Sequence, residues 1–131
     1  MYNMIIGTGI DIVEISRIKN AAKKWQKNFL LKIFTDKELE YSNEKTSSCQ
    51  HLAARFAAKE AVLKALGSGL TSRMEWRDIE VWNEESGKPN VRLTGEVERV
   101  SQSRGVKDII ISMSHTRTYA VASVILVNGK A

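Results

Sequence analysis

The segment from residue 46 to 66 constrains this chain most. It contains no glycine or proline, is rich in alanine, and ends at Gly67-Ser68-Gly69. A helix of that length spans about 30 Å at 1.5 Å per residue. In a chain of 131 residues, one long helix must therefore be central, with everything else packed around it. On a helical wheel Leu52, Phe56, Val62, Leu63 and Leu66 share one arc, the expected core face. Lys59 falls in that arc, so its stem is expected to pack while its ammonium snorkels outward. Glu60 and Lys64 lie one turn apart on the flank, beside Ala53 and Ala57. Helix geometry alone favours a plain surface ion pair. The alternative is a metal–phosphate site: small alanines admit a ligand, a carboxylate suits a hard cation, and lysine meets phosphate as a point charge.

The first apolar stretch poses a different question. In IIGTGIDIVEI, residues 5–15, Ile5, Ile6, Ile10, Ile12, Val13 and Ile15 read as buried strand material, yet Asp11 stands among them. A carboxylate buried without a partner is costly. Gly7-Thr8-Gly9 is no dinucleotide fingerprint, because the third glycine is missing and no helix begins at once. Glycines inside a strand predict a bulge or the close approach of another backbone. If Asp11 faces Glu60, two like charges need a cation between them, and Mg²⁺ commonly takes one or two protein carboxylates, waters and phosphate oxygens.

The remaining periodicities complete an α+β chain. A strand is expected over 4–13 and a helix over 14–27, where Ile15, Ile18, Ala22 and Trp25 recur at helical spacing. Thr35 and Glu38 form a capping box for a short helix from Asp36 to Asn43. Strands follow at 77–83 and 91–94 around a turn holding the only proline. A weak helix is expected at 95–103, and strands at 107–113 and 118–127 flank Ser114-His115-Thr116-Arg117. Short connections predict a mainly antiparallel sheet packed against the long central helix, in a single domain covering residues 1–131.

Charge and cysteine content narrow the functions. A net charge of +5 favours acidic partners, and six basic residues crowd the stretch from Glu14 to Lys32: Arg17, Lys19, Lys23, Lys24, Lys27 and Lys32. A basic module that binds RNA or DNA is the rival reading, but aromatics are only 7% and no basic–aromatic interleaving is present. Cys49 is the only cysteine, which excludes an intrachain disulfide and fits a reducing, cytoplasmic setting. Cys49-Gln50-His51 offers too few ligands for zinc. No run is apolar enough to span a membrane, and no secretory signal is expected.

Five motifs, in order, resemble one known family. They are GTGIDIVEISRI, FTDKELEY, RFAAKEAVLKALGSG, GKP and ISMSHTRTYAVASV, spread over nearly the whole chain. Together they resemble the bacterial holo-[acyl-carrier-protein] synthases, the short phosphopantetheinyl transferases. The resemblance implies the 4′-phosphopantetheinyl transferase fold and transfer of 4′-phosphopantetheine from coenzyme A to a serine of apo acyl carrier protein. It implies Asp11 and Glu60 as Mg²⁺ ligands and Lys64 as a catalytic residue at the diphosphate. It implies that Arg55, His115 and Thr116 join Lys64 in binding coenzyme A, and that Arg17 and Lys24 dock the acidic carrier. It further implies a homotrimer with coenzyme A held between protomers. Asp11, Glu60 and a metal-bound water remain open as the base for the serine. Neither nucleic acid nor a membrane is an expected partner.

Overall fold

The computed structural model describes residues 4–45 and 47–130, apart from the side chains of residues 25–27. Ten residues form strand β1 (Ile5–Glu14). Helices α1 (Ile15–Ile33), α2 (Asp36–Asn43) and α3 (Ser48–Leu66) follow. A short 3-10 turn (Trp76–Asp78) leads into β2 (Ile79–Asn83) and β3 (Pro89–Leu93). The chain ends with α4 (Gly95–Ser103), β4 (Asp108–His115) and β5 (Tyr119–Val127). Both sheets are antiparallel: three strands in the order β1-β5-β4, and the pair β2-β3. No helix among the described residues is long and apolar enough to cross a membrane.

Helix α3 is buried almost all round, not along one arc. Ala53, Ala54, Ala57, Ala58, Ala61 and Ala65 are inside together with Leu52, Val62, Leu63 and Leu66, while Phe56 is only half-buried. The three-stranded sheet covers one side, and α1, α2 and β2 cover the others. Gly67 ends the helix in the left-handed conformation, with φ 75°, as the glycine stop predicts.

Strand β1 lies on α3 backbone to backbone. A Cβ on Gly7 would strike the carbonyl of Ala65. One on Gly9 would strike that of Ala61 and come within 2.9 Å of the Ala65 nitrogen. The two glycines thus mark a close approach, as expected of glycine inside a strand.

That contact reverses the expectation for the isoleucines. Gly7, Gly9, Asp11 and Val13 alternate toward α3, so Ile10 and Ile12 point away and are 64% and 62% exposed. Ile5 is 63% exposed too, and only Val13 and Ile15 of the group are buried. Register extends the outer face across the sheet: Ile10 pairs with Ser123, Ile12 with Val121, and Thr8 with Ile125, which in turn pairs with the exposed Ile110.

Other boundaries moved for local reasons. Helix α1 continues to Ile33 because Phe29, Leu30, Ile33 and Phe34 keep packing on the core. His115 closes strand β4 instead of sitting in the hairpin loop. Trp76–Asp78 coil into a 3-10 turn, which shortens the expected strand to Ile79–Asn83.

Candidate active site

Asp11 and Glu60 are brought together by the β1–α3 contact. Asp11 projects from the inner face of β1 with a side chain only 17% exposed. Glu60 is half-buried on α3, where burial and then the Asp11 charge raise its carboxyl above the ordinary range, opposed by Lys64 and Arg17. Lys64, one turn further along α3, donates to Asp11 Oδ1 at 2.8 Å and to the Ile10 carbonyl at 3.0 Å. Its half-exposed ammonium therefore pairs across elements with Asp11, not along the helix with Glu60 as the surface-pair reading supposes. Among the described residues, no group of three or more His, Cys, Asp or Glu forms a metal cluster. A pair of carboxylates is the donor set Mg²⁺ ordinarily takes, with waters and phosphate oxygens filling its other positions.

Lys59 does not snorkel. Its ammonium is fully buried and donates to Glu38 Oε1 at 2.7 Å, to the Trp76 carbonyl at 3.2 Å and to the Ile79 carbonyl. Glu38 keeps the capping box with Thr35 and also accepts from the Val81 N–H at 2.9 Å. One buried carboxylate thus joins α2, α3 and β2. An ammonium with three partners has no reason to reach for water.

A second cluster forms on the other flank of α3. Arg55 is 1% exposed, stacked with its guanidinium carbon 4.4 Å from the Tyr41 ring centroid and donating to Asn83 Oδ1. It lines a cavity of about 230 Å³ with Tyr41, His51, Asn83, Ser114 and His115. The His51 ring stands edge-on to His115 at 5.7 Å and to Tyr41 at 5.8 Å. Arg55 and His115 are therefore together. Thr116 is outside this lining: its hydroxyl accepts from the Thr118 and Tyr119 N–H groups, and its carbonyl accepts from Gln50. His51, Tyr41 and Asn83 were not among the expected site residues. For His51 a signal existed, because it lies one helical turn before Arg55.

Arg17 and Lys24 are both exposed on α1, as is Lys23. Arg17 is close enough to Glu60 to act on its charge, so the basic face begins at the carboxylate pair. The Trp25 and Lys27 side chains lie outside the described residues.

A model of the 4'-phosphopantetheinyl transferase superfamily matches residues 7–124. The chain belongs to that superfamily. A holo-[acyl-carrier-protein] synthase of Koribacter versatilis is 45% identical over 123 residues, 94% of this chain and 98% of the relative. Among solved transferase structures, the holo-[acyl-carrier-protein] synthase of Neisseria meningitidis superposes with a TM-score of 0.86 at 32% identity, covering 94% of this chain and 98% of that one. The Helicobacter pylori holo-[acyl-carrier-protein] synthase, solved in complex with coenzyme A, has a TM-score of 0.78 at 29% identity over 91% of this chain and 98% of its own. These solved structures share the α+β transferase fold of this chain.

Proposed function

We propose that the protein transfers the 4′-phosphopantetheine group of coenzyme A to a serine of apo acyl carrier protein, as a holo-[acyl-carrier-protein] synthase serving fatty acid biosynthesis in the cytoplasm. Adenosine 3′,5′-bisphosphate is the other product, and Mg²⁺ is the cofactor. The observation that carries this reading is the convergence of Asp11, Glu60 and Lys64 on a chain of this superfamily. Two neighbouring carboxylates, one with raised proton affinity, suit a shared hard cation. When bound, Mg²⁺ would neutralise charge that builds on the departing 5′-phosphate as the diphosphate bond breaks.

The chain's own groups supply the rest. The Lys64 ammonium sits on a flexible stem and can exchange Asp11 for a diphosphate oxygen. Arg55, with His115 beside it, takes the nucleotide end, whose phosphate monoester suits a guanidinium fork. Thr116 belongs to the same side by family resemblance, and its turn geometry holds it next to His115. Arg17 and Lys24 offer an acidic carrier a basic face next to the carboxylates.

The complete site, in this reading, lies between protomers of a homotrimer. Asp11 is on β1 and His115 on β4, the two margins of the sheet, roughly 10 Å apart across two strand spacings. Exposed Ile10, Ile12 and Ile110 give the sheet an apolar outer face that a second copy would cover. Ile10→Glu is expected to dissociate the assembly in light scattering and to abolish transfer; a variant that stays trimeric would put the interface elsewhere.

Mass spectrometry of an apo carrier after incubation with coenzyme A and Mg²⁺ tests the function. A phosphopantetheine mass gain that EDTA removes supports it. Asp11→Asn and Glu60→Gln variants that keep near-normal rates at limiting Mg²⁺ would remove the metal assignment.

A further inference from the structure

The cavity at Arg55 contains more bases than binding a phosphate by one guanidinium requires. Arg55 Nε is buried with no hydrogen-bond partner among the described residues. Two imidazoles, His51 and His115, meet edge to face beside it, and they are the only histidines in the chain. The groups facing His51 are Tyr41 from α2, Lys45 just after it, Arg55 from its own helix and His115 from β4. Lys45 and Arg55 are held by the same ring, each over Tyr41. The groups whose charge acts on His51 are Arg55, His115 and Lys45, all bases. Such a pocket has a high proton cost while empty and a low one once a dianion enters.

We infer that His51 is a binding residue of the nucleotide end of coenzyme A, and that it takes up a proton when a phosphate monoester enters the Arg55 cavity. This rests on the reading of that cavity as the nucleotide end. The free protein keeps His51 neutral: burial comes first, then Arg55, His115 and Lys45, each lowering its proton affinity. A phosphate monoester has a second pKa of about 6 and enters mainly as the dianion near neutral pH. Its two charges outweigh the surrounding bases, so solvent donates one proton to an imidazole nitrogen and an imidazolium faces the phosphate. On release the proton returns to solvent. Cation-rich surroundings strip any proton from the phosphate itself, which releases protons, so the sign of the exchange separates the two sources.

The probe is adenosine 3′,5′-bisphosphate, titrated into the full-length protein at neutral pH without metal. Nitrogen NMR of the two imidazoles, assigned with His51→Gln, reads tautomer and charge directly. The expected result is a neutral His51 in the free protein and an imidazolium at saturation. Dephospho-coenzyme A, which lacks the 3′-phosphate, is expected to leave His51 neutral. Calorimetry in buffers of different ionisation enthalpy is expected to show net proton uptake that falls by at least half in His51→Gln. Each proton taken up tightens binding by up to about tenfold per pH unit on acidification. If the probe shifts both imidazoles while His51 stays neutral and uptake is unchanged in the variant, this inference is wrong and the site reading stands. If the probe binds without moving either imidazole, or fails to bind at millimolar concentration, both fall together.

Discussion

Lys64 Nζ lies 2.8 Å from Asp11 Oδ1, so an ammonium already satisfies one of the two carboxylates proposed as metal ligands. Lysine and metal then compete for one oxygen. Lys64→Met is expected to tighten Mn²⁺ binding by roughly three- to tenfold in the absence of coenzyme A, a modest factor because the pair is partly solvated. Titration of the free Mn²⁺ electron-spin signal measures it, with Asp11→Asn expected to abolish binding. Equal affinities in wild type and Lys64→Met would separate the lysine from the metal site.

The pair Lys59–Glu38 is completely buried. Removing one partner leaves an uncompensated charge, so Lys59→Met is expected to cost about 3–5 kcal/mol in urea unfolding. The double variant Glu38→Gln/Lys59→Met removes both charges and is expected to regain a large part of that loss. A double variant no more stable than the single one would show that packing, not charge, dominates there.

Gly9 has no room for a methyl group, because its Cβ would meet the Ala61 carbonyl and the Ala65 nitrogen. Both are backbone atoms of α3 and cannot rotate away. Gly9→Ala is expected to destabilise by about 3 kcal/mol, at the upper end of overpacking. A melting temperature within a degree or two of wild type would contradict the close contact.

Lys24→Glu is the cleaner test of carrier docking, since Arg17 also acts on Glu60. The substitution is expected to raise KM for the carrier severalfold while leaving KM for coenzyme A unchanged, with the difference shrinking as salt screens it. Matching changes in both constants would remove the docking role.

His51 carries a pH signature in the free protein. Burial and the neighbouring bases lower its folded-state pKa below the ordinary histidine value of 6.5. The unfolded chain therefore binds the proton first, and stability falls as pH drops through about 6.5. Thermal melts between pH 7.5 and 5.5 are expected to show this decline, with a shallower slope in His51→Gln. Parallel slopes would place the acid sensitivity at other groups.

The capping box at Thr35, the glycine stop at Gly67 and the strand–helix order were legible because each depends on neighbours in sequence. What a side chain faces was less legible. Strand periodicity separated Asp11 from Ile10 and Ile12, but alternation alone does not say which set turns inward; the Gly7 and Gly9 contact decides it. Lys59 was misjudged because its partner, Glu38, is 21 residues away, and a wheel contains no other element. The burial of Arg55 was not legible, because it needs Tyr41 and Asn83 from two further elements. The approach of Asp11 to Glu60 was expected from family resemblance, whereas the wheel by itself preferred an ordinary surface pair of Glu60 with Lys64.

Main chain resting on main chain leaves no rotamer to adjust at Gly7, Gly9, Ala61 and Ala65. The gap between an acid on β1 and an acid on α3 is consequently a dimension of the scaffold, set when strand and helix meet. Insertions in the hairpin at 84–88 or in the loop at 68–75 can lengthen the chain without altering that gap, whereas one methyl group at the seam would pry it open.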